Sequence, residues 1–432
     1  MAGAEVGFPS CLEPLQTALR ALGLEAFQVT SVATRAGGTM VSLQRSTPAT
    51  VYATFITTVL ALVHVRVILD FLQFSHSHFT ATFTISYIAI VHASTIASLV
   101  AIASMYFNHN ARQEILQTLV KVDQVVLINI QECYKNSSKR ISFLFISTFA
   151  GLFFSCVIHQ VCQNLTAWGH VISCTSHIRE FITYFMTTYF INMTLFVKQR
   201  LEFVNDQLRE VLDNELMSYA MPETYSTQTE HTGDNSLWQS NIRPRNAVDE
   251  YFQPDLSGYD HERRVKILHS LKVVHNALRR IIDLLNSVHG TPLFFNLISA
   301  FMLMTTFVHN ILVGLFRPSY YSAYNTTAFL ASSVTWFTLQ TAQMVAVIAV
   351  CSGTTRQARA THAILQHSAL QRVSGAVSAV LGDFAQQVSE EQFTFNAADV
   401  FVLDWPLIAS LLASMMSYVL VMLQFSSNEN PQ

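Results

Sequence analysis

Residues 403–425 read LDWPLIASLLASMMSYVLVMLQF, a run whose single charge, Asp404, stands near its start. About 20 mainly apolar residues suffice to cross a bilayer as a helix, so this run reads as a transmembrane span. Within it Ser410, Ser414, Ser417 and Gln424 recur at i, i+4, i+7 and i+14, with Val421 on the same face. Helical periodicity gathers them into one narrow polar stripe. Facing lipid, that stripe would be wasted, so it must face another helix or water. Four such helices around an axis would make a narrow, mostly apolar pore without a charged ring, discriminating poorly among cations. Periodicity alone leaves pore and helix contact equally open.

Working outward, the rest of the chain has the same character. Hydrophobic residues make up 51% and charged residues 12% of its 432 positions, half the charge of an ordinary soluble protein. A net charge of −3 gives no reason to expect a nucleic-acid partner. Seven spans are predicted, at 49–74, 80–107, 141–163, 178–204, 290–315, 326–351 and 403–425, the sixth being the least hydrophobic. Glu5 and Glu13 interrupt the N-terminal region, so the first span is expected to serve as a retained targeting signal.

Orientation follows from Lys and Arg, which accumulate in cytosolic loops. Segments 1–48, 108–140, 198–280 and 353–402 hold 22 of the 25, while the tail from 426 to 432 has none. The expected fold is an all-α membrane protein of seven transmembrane helices, N-terminus cytosolic and C-terminus extracellular. Its 205–289 loop is long, with polar 218–258 expected to be disordered. Amphipathic stretches at 198–217 and 260–288 should prolong the fourth and fifth helices into the cytosol, where they bundle in an anchor domain completed by 353–402.

The sequons at Asn164 and Asn325 fall in predicted outer loops and are candidate glycosylation sites. Cys162 and Cys174 flank one such loop, where a disulfide or two unpaired thiols are equally open readings. Arg66 and Asp70 stand four apart on the first span and can pair along one face.

Given that topology, the outer half of the bundle collects Tyr87 and His92, His159, then Tyr184, Thr188 and Tyr189, then Thr306, His309 and Asn310, then Trp336 and Gln340. Aromatic faces with a few hydrogen-bonding groups suit a small neutral ligand. Taken singly, each of these residues fits interhelical hydrogen bonding better. The histidines show no HxxH or HxxxH pairing and the cysteines no CxxC, so no metal site, cofactor or enzymatic centre is expected. An odd number of spans with the N-terminus inside is the reverse of a G-protein-coupled receptor. Internal repeats and paired broken helices, the marks of a transporter, are missing.

The segment Phe393-Thr-Phe-Asn-Ala-Ala-Asp-Val-Phe-Val-Leu-Asp-Trp-Pro-Leu-Ile408, followed by Ser417-Tyr418-Val-Leu-Val-Met-Leu-Gln424-Phe425, resembles the C-terminal signature of insect gustatory receptors. That signature is Thr-Tyr, five apolar residues, then Gln-Phe; here Ser417 replaces the Thr and keeps the hydroxyl. The resemblance implies a homotetrameric, tastant-gated, non-selective cation channel in the plasma membrane of chemosensory neurons. It implies that 385–400 is a cytosolic piece and 403–425 the pore helix, with Gln424 and Phe425 as gate residues and Tyr418 as a coupling residue. An odorant-receptor-type subunit is the related alternative, a non-channel transporter the distant one. The tastant, sugar or bitter plant compound, is not legible.

Overall fold

A computed structural model describes residues 8–33, 39–74, 81–126, 130–162, 167–220, 257–316, 326–369, 375–390 and 393–428. The predicted disordered stretch 218–258 lies mostly outside the described residues, as do the sequons at Asn164 and Asn325. The described residues form helices α1 (Phe8–Ala21), α2 (Thr47–Phe74), α3 (Ala81–Phe107), α4 (His109–Val126), α5 (Ile130–Cys162), α6 (Ala167–Ala220), α7 (Ser257–Phe316), α8 (Thr326–Ala369), α9 (Gly375–Glu390) and α10 (Trp405–Asn428). Two small antiparallel hairpins complete them, β1 (Phe27–Ala33) with β2 (Thr39–Arg45), and β3 (Asn396–Ala397) with β4 (Phe401–Val402).

The first hairpin is not evident in the sequence, where its residues fall in the expected cytosolic segment 1–48. It pairs Phe27 with Arg45 and Ala33 with Thr39. Gly23, at a φ of 73°, closes α1, with the amide of Leu24 donating to the carbonyl of Leu19 at 2.8 Å; this left-handed cap favours glycine. Phe27 then stacks on His109 at 4.9 Å, and Arg45 lies over the Tyr106 ring.

Six helices among the described residues contain stretches long and apolar enough to cross a membrane: Thr47–Leu69, Ile88–Phe107, Lys139–Val157, Glu262–Phe316, Phe329–Ser368 and Trp405–Phe425. The fourth predicted span, on α6, falls short because Glu180 and Lys198 bound its uncharged run 181–197 and Thr, Tyr and Asn residues dilute that run, so the fourth span and not the sixth is the least hydrophobic. Burial supplies the reason. From Ile182 to Ile191 every side chain of α6 is buried, so this helix is solvated by protein rather than lipid and can carry charge. Arg200, 1% exposed, gives two hydrogen bonds to Asp123 at 2.8 and 2.9 Å.

Helix α7 runs unbroken through Pro292. A proline inside a helix removes one backbone donor and leaves the carbonyl four residues earlier without its usual partner. That carbonyl belongs to Val288, and the hydroxyl of Ser104 on α3 donates to it. An orphaned backbone group in a spanning segment is thus satisfied by a neighbouring helix.

The chain divides into two compact units. The larger holds residues 1–201, 276–358 and 393–432. The smaller, 202–275 and 359–392, is a bundle of the C-terminal part of α6, the N-terminal part of α7, the end of α8, and α9. Leu208, Leu268, Leu271, Leu365, Leu381 and Phe384 form its buried core. Thr361 donates to the side-chain carbonyl of Asn205 at 2.6 Å, and His275 meets Phe384 edge to face at 5.5 Å.

Candidate ligand pocket and pore helix

Two sites emerge in the larger unit. The first is an aromatic cluster among α5, α6, α7 and α8. Leu152, Tyr184 and Trp336, each no more than 5% exposed, pack together with Cys156, Phe181, Phe307 and Leu339 around them. His177 stacks flat on Trp336, 5.6 Å between ring centres. On α6, residues 177, 181 and 184 recur at helical spacing, which presents one face toward α8.

Polar groups enter this apolar setting in a small number. The side-chain nitrogen of Gln340 donates to the Glu180 carboxylate at 3.1 Å. The Tyr184 hydroxyl and the Gln340 side-chain carbonyl are both buried without a hydrogen-bond partner. Buried polar atoms of that kind are rare and call for an explanation; a ligand hydroxyl, which can donate to the Gln340 carbonyl and accept from the Tyr184 hydroxyl, would satisfy them.

The structure therefore brings Tyr184, Trp336 and Gln340 together, and it adds Glu180, His177 and Phe181. Thr188 lies one turn along α6 and gives its hydroxyl to the Tyr184 carbonyl at 2.9 Å. His309 and Asn310 are buried on α7, and Thr306 is half-buried there. Tyr189 lies apart: its ring lies under the Arg112 guanidinium at 5.7 Å and beside His289 at 5.6 Å. His92 pairs with His64 of α2 at 3.2 Å, with the Thr95 hydroxyl 3.0 Å from the other His64 ring nitrogen. The Tyr87 and His159 side chains lie outside the described residues, as do those of Cys162 and Asp70. Cys174 is exposed on α6.

Arg112 belongs to a separate buried group. It bonds the Glu25 carboxylate and the Met105 carbonyl, and is 2% exposed. Burial alone would pull its pKa down, but the Glu25 carboxylate holds it above the ordinary arginine value. Among the described residues no three His, Cys, Asp or Glu side chains gather as metal ligands would.

The second site is α10. Met415 and Val419 are its buried residues, packing it on its own chain. Ser410, Ser414, Ser417, Val421, Gln424 and Phe425 are all exposed, on the side away from Met415 and Val419. The Ser410 and Ser417 hydroxyls return to the carbonyls of Pro406 and Ala413, at 3.1 and 3.2 Å. Tyr418, itself 58% exposed, meets Phe301 of α7 edge to face at 5.8 Å.

These features define a helical membrane protein with a buried aromatic cluster and one helix whose polar stripe is left exposed. Residues 14–429 match the family described as 7tm Chemosensory receptor, and the chain belongs to that family. The fold is similar to the insect olfactory receptor OR5 from Machilis hrabei, with a TM-score of 0.65 at 13% identity over 96% of this chain and 97% of that one. It is likewise similar to OR5 in complex with eugenol, with a TM-score of 0.63 at 11% identity over the same shares. No curated protein matches the chain in sequence. The protein has the seven-helix fold of these receptors, α6 being the spanning helix that hydropathy undervalues.

Proposed function

We propose that this chain is one subunit of a homotetrameric, ligand-gated, non-selective cation channel of the gustatory type, opened by a small tastant, with α10 lining the central pore. The observation that carries the reading is the polar stripe of α10. It faces away from the helix's own chain, and the exposed Ser410, Ser414, Ser417 and Gln424 suit a wet or like-faced surrounding that copies around an axis would supply. The lysine and arginine distribution supports a cytosolic N-terminus and an extracellular C-terminus, which puts the aromatic cluster in the outer half of the bundle. Agonist bound among Tyr184, Trp336, Gln340 and Glu180 opens the pore by binding the open state more tightly than the closed one.

An odorant-type receptor is the second reading. It is favoured by the fold similarity to OR5, a receptor that has been seen in complex with eugenol. The C-terminal Ser417-Tyr418 and Gln424-Phe425 motif favours the gustatory branch. The test is whole-cell current from cells expressing this chain alone, perfused with sugars, bitter plant compounds and volatile phenols, with a C-terminal tag stained on intact cells. Reversible cation current without G-protein dependence supports the channel. Current only to volatiles moves the chain to the odorant reading. Surface protein whose tag stains only after permeabilisation overturns the topology.

A further inference from the structure

Three residues of α7 stand one turn apart on a single face: Asn286, Gly290 and Phe294. Each touches the hairpin of β3 and β4, which leads directly into α10. Asn286 gives its amide hydrogen to the Thr394 carbonyl at 2.8 Å and accepts the Asn396 amide hydrogen at 3.2 Å. Its side chain thus donates to one residue of β3's edge and accepts from the residue two further on, as a neighbouring strand would. At Gly290 a Cβ would come within 3.2 Å of the Ala398 nitrogen and 3.4 Å of the Asn396 carbonyl, so glycine is what lets the turn sit down on the helix. Phe294 stacks on Phe401 at 6.0 Å, and buried Phe395 meets Phe190 of α6 edge to face at 6.1 Å.

The hairpin needs this support. Its strands are two residues each, far too short to be stable alone. Its turn places Ala398 and Asp399 at φ values of 52° and 57°, a conformation that asparagine and glycine adopt at lower cost. Such strain persists only where the surroundings over-determine it. On its other side the hairpin is tied to the pore helix. The Leu403 amide donates to the Phe395 carbonyl at 2.9 Å, and the Asp404 carboxylate accepts the Leu407 amide at 3.4 Å, capping the first turn of α10.

We propose that Asn286 and Gly290 are positioning residues that dock this hairpin on α7 and make it the fixed foot about which α10 moves when the channel opens. The inference rests on the channel reading above. Motion at the upper part of a helix separates pore linings only if its lower end is held. Loosening the foot therefore weakens the transmission of agonist binding to the pore without touching the pocket.

The experiment pairs two readouts on N286A and G290A, each compared with wild type in the full chain. In detergent-purified protein, amide hydrogen exchange over 394–403 is expected to accelerate by about tenfold, in N286A by loss of the two side-chain bonds and in G290A by the new methyl pressing on the Ala398 nitrogen, while exchange in α5 and α6 stays unchanged. In whole cells at equal surface staining, the half-activating agonist concentration is expected to rise by about tenfold, with a reduced maximal current. N286A combined with D399G, whose glycine relieves the turn, is expected to recover part of both effects. Unaltered exchange in both single variants overturns the docking. Accelerated exchange with unaltered activation overturns the role as a foot. A wild type that conducts to no agonist removes the gating role together with the channel reading, and the exchange data then decide the docking alone.

Discussion

Arg200 and Asp123 are 1% and 2% exposed, and their two parallel hydrogen bonds hold α6 against α4. A buried pair of this kind contributes little over an apolar replacement, but removing one partner strands the other charge. R200M should therefore cost about 3–5 kcal/mol, read as loss of the monodisperse peak on heating in fluorescence-detected chromatography. R200M with D123L should recover most of it; a double variant as unstable as the single one would rule out this account. In the pocket, Y184F removes only a hydroxyl that has no partner within the protein. If a ligand takes that hydroxyl, the half-activating concentration rises about fivefold, the worth of roughly 1 kcal/mol, with thermal stability unchanged. W336A removes the surface on which His177 stacks and should raise it further. Equal activation by Y184F and wild type would place the ligand elsewhere. Tyr184, Trp336 and Gln340 are legible in the sequence as aromatic and amide groups in an otherwise apolar bundle. Glu180 and His177 are not singled out there, although a carboxylate inside a predicted span is itself a signal. Depth alone groups Tyr189 with the pocket residues. Neighbouring helical positions point about 100° apart, and that turn sends Tyr189 to Arg112 instead.

Among the elements, α7 tests how a proline is accommodated. If Ser104 occupies the carbonyl freed by Pro292, the two positions must be coupled. S104A alone should cost about 1–3 kcal/mol, the penalty for an unsatisfied buried acceptor. In a P292A background, where the substituted alanine supplies an amide hydrogen and restores the backbone bond, S104A should cost far less. The non-additivity of this double-mutant cycle, measured by thermal melts, is the predicted coupling; additive losses would show that Ser104 serves some other purpose. Hydropathy finds six of the seven spanning helices readily and is weakest on α6, because it scores each residue as if lipid surrounded it. The two hairpins escape sequence reading for a different reason. Their pairing is fixed by contacts distant in sequence, Phe27 with His109 and Asn286 with Asn396, which no local period encodes.

At the scale of the whole molecule, the exposed stripe of α10 is what a single chain leaves unexplained, and it yields the most discriminating prediction. In a tetrameric pore Ser410, Ser414, Ser417 and Val421 face water, while Met415 and Val419 face their own subunit. Cysteines placed singly along α10 in the full-length channel should then react with a charged, membrane-impermeant thiol reagent in a helical pattern. S414C and S417C should be modified, with current block, faster in the presence of agonist than in its absence. M415C and V419C should stay unmodified in both states, because the stripe and the buried seam lie on opposite sides of one helix. F425A should raise the current recorded without agonist, since the resemblance makes Phe425 a gate residue and a smaller apolar side chain wets the constriction. Lipid-facing placement of the stripe gives the opposite result. Ser414 and Ser417 would then be inaccessible to a charged reagent, agonist would not change their reactivity, and the pore would have to be sought on another helix.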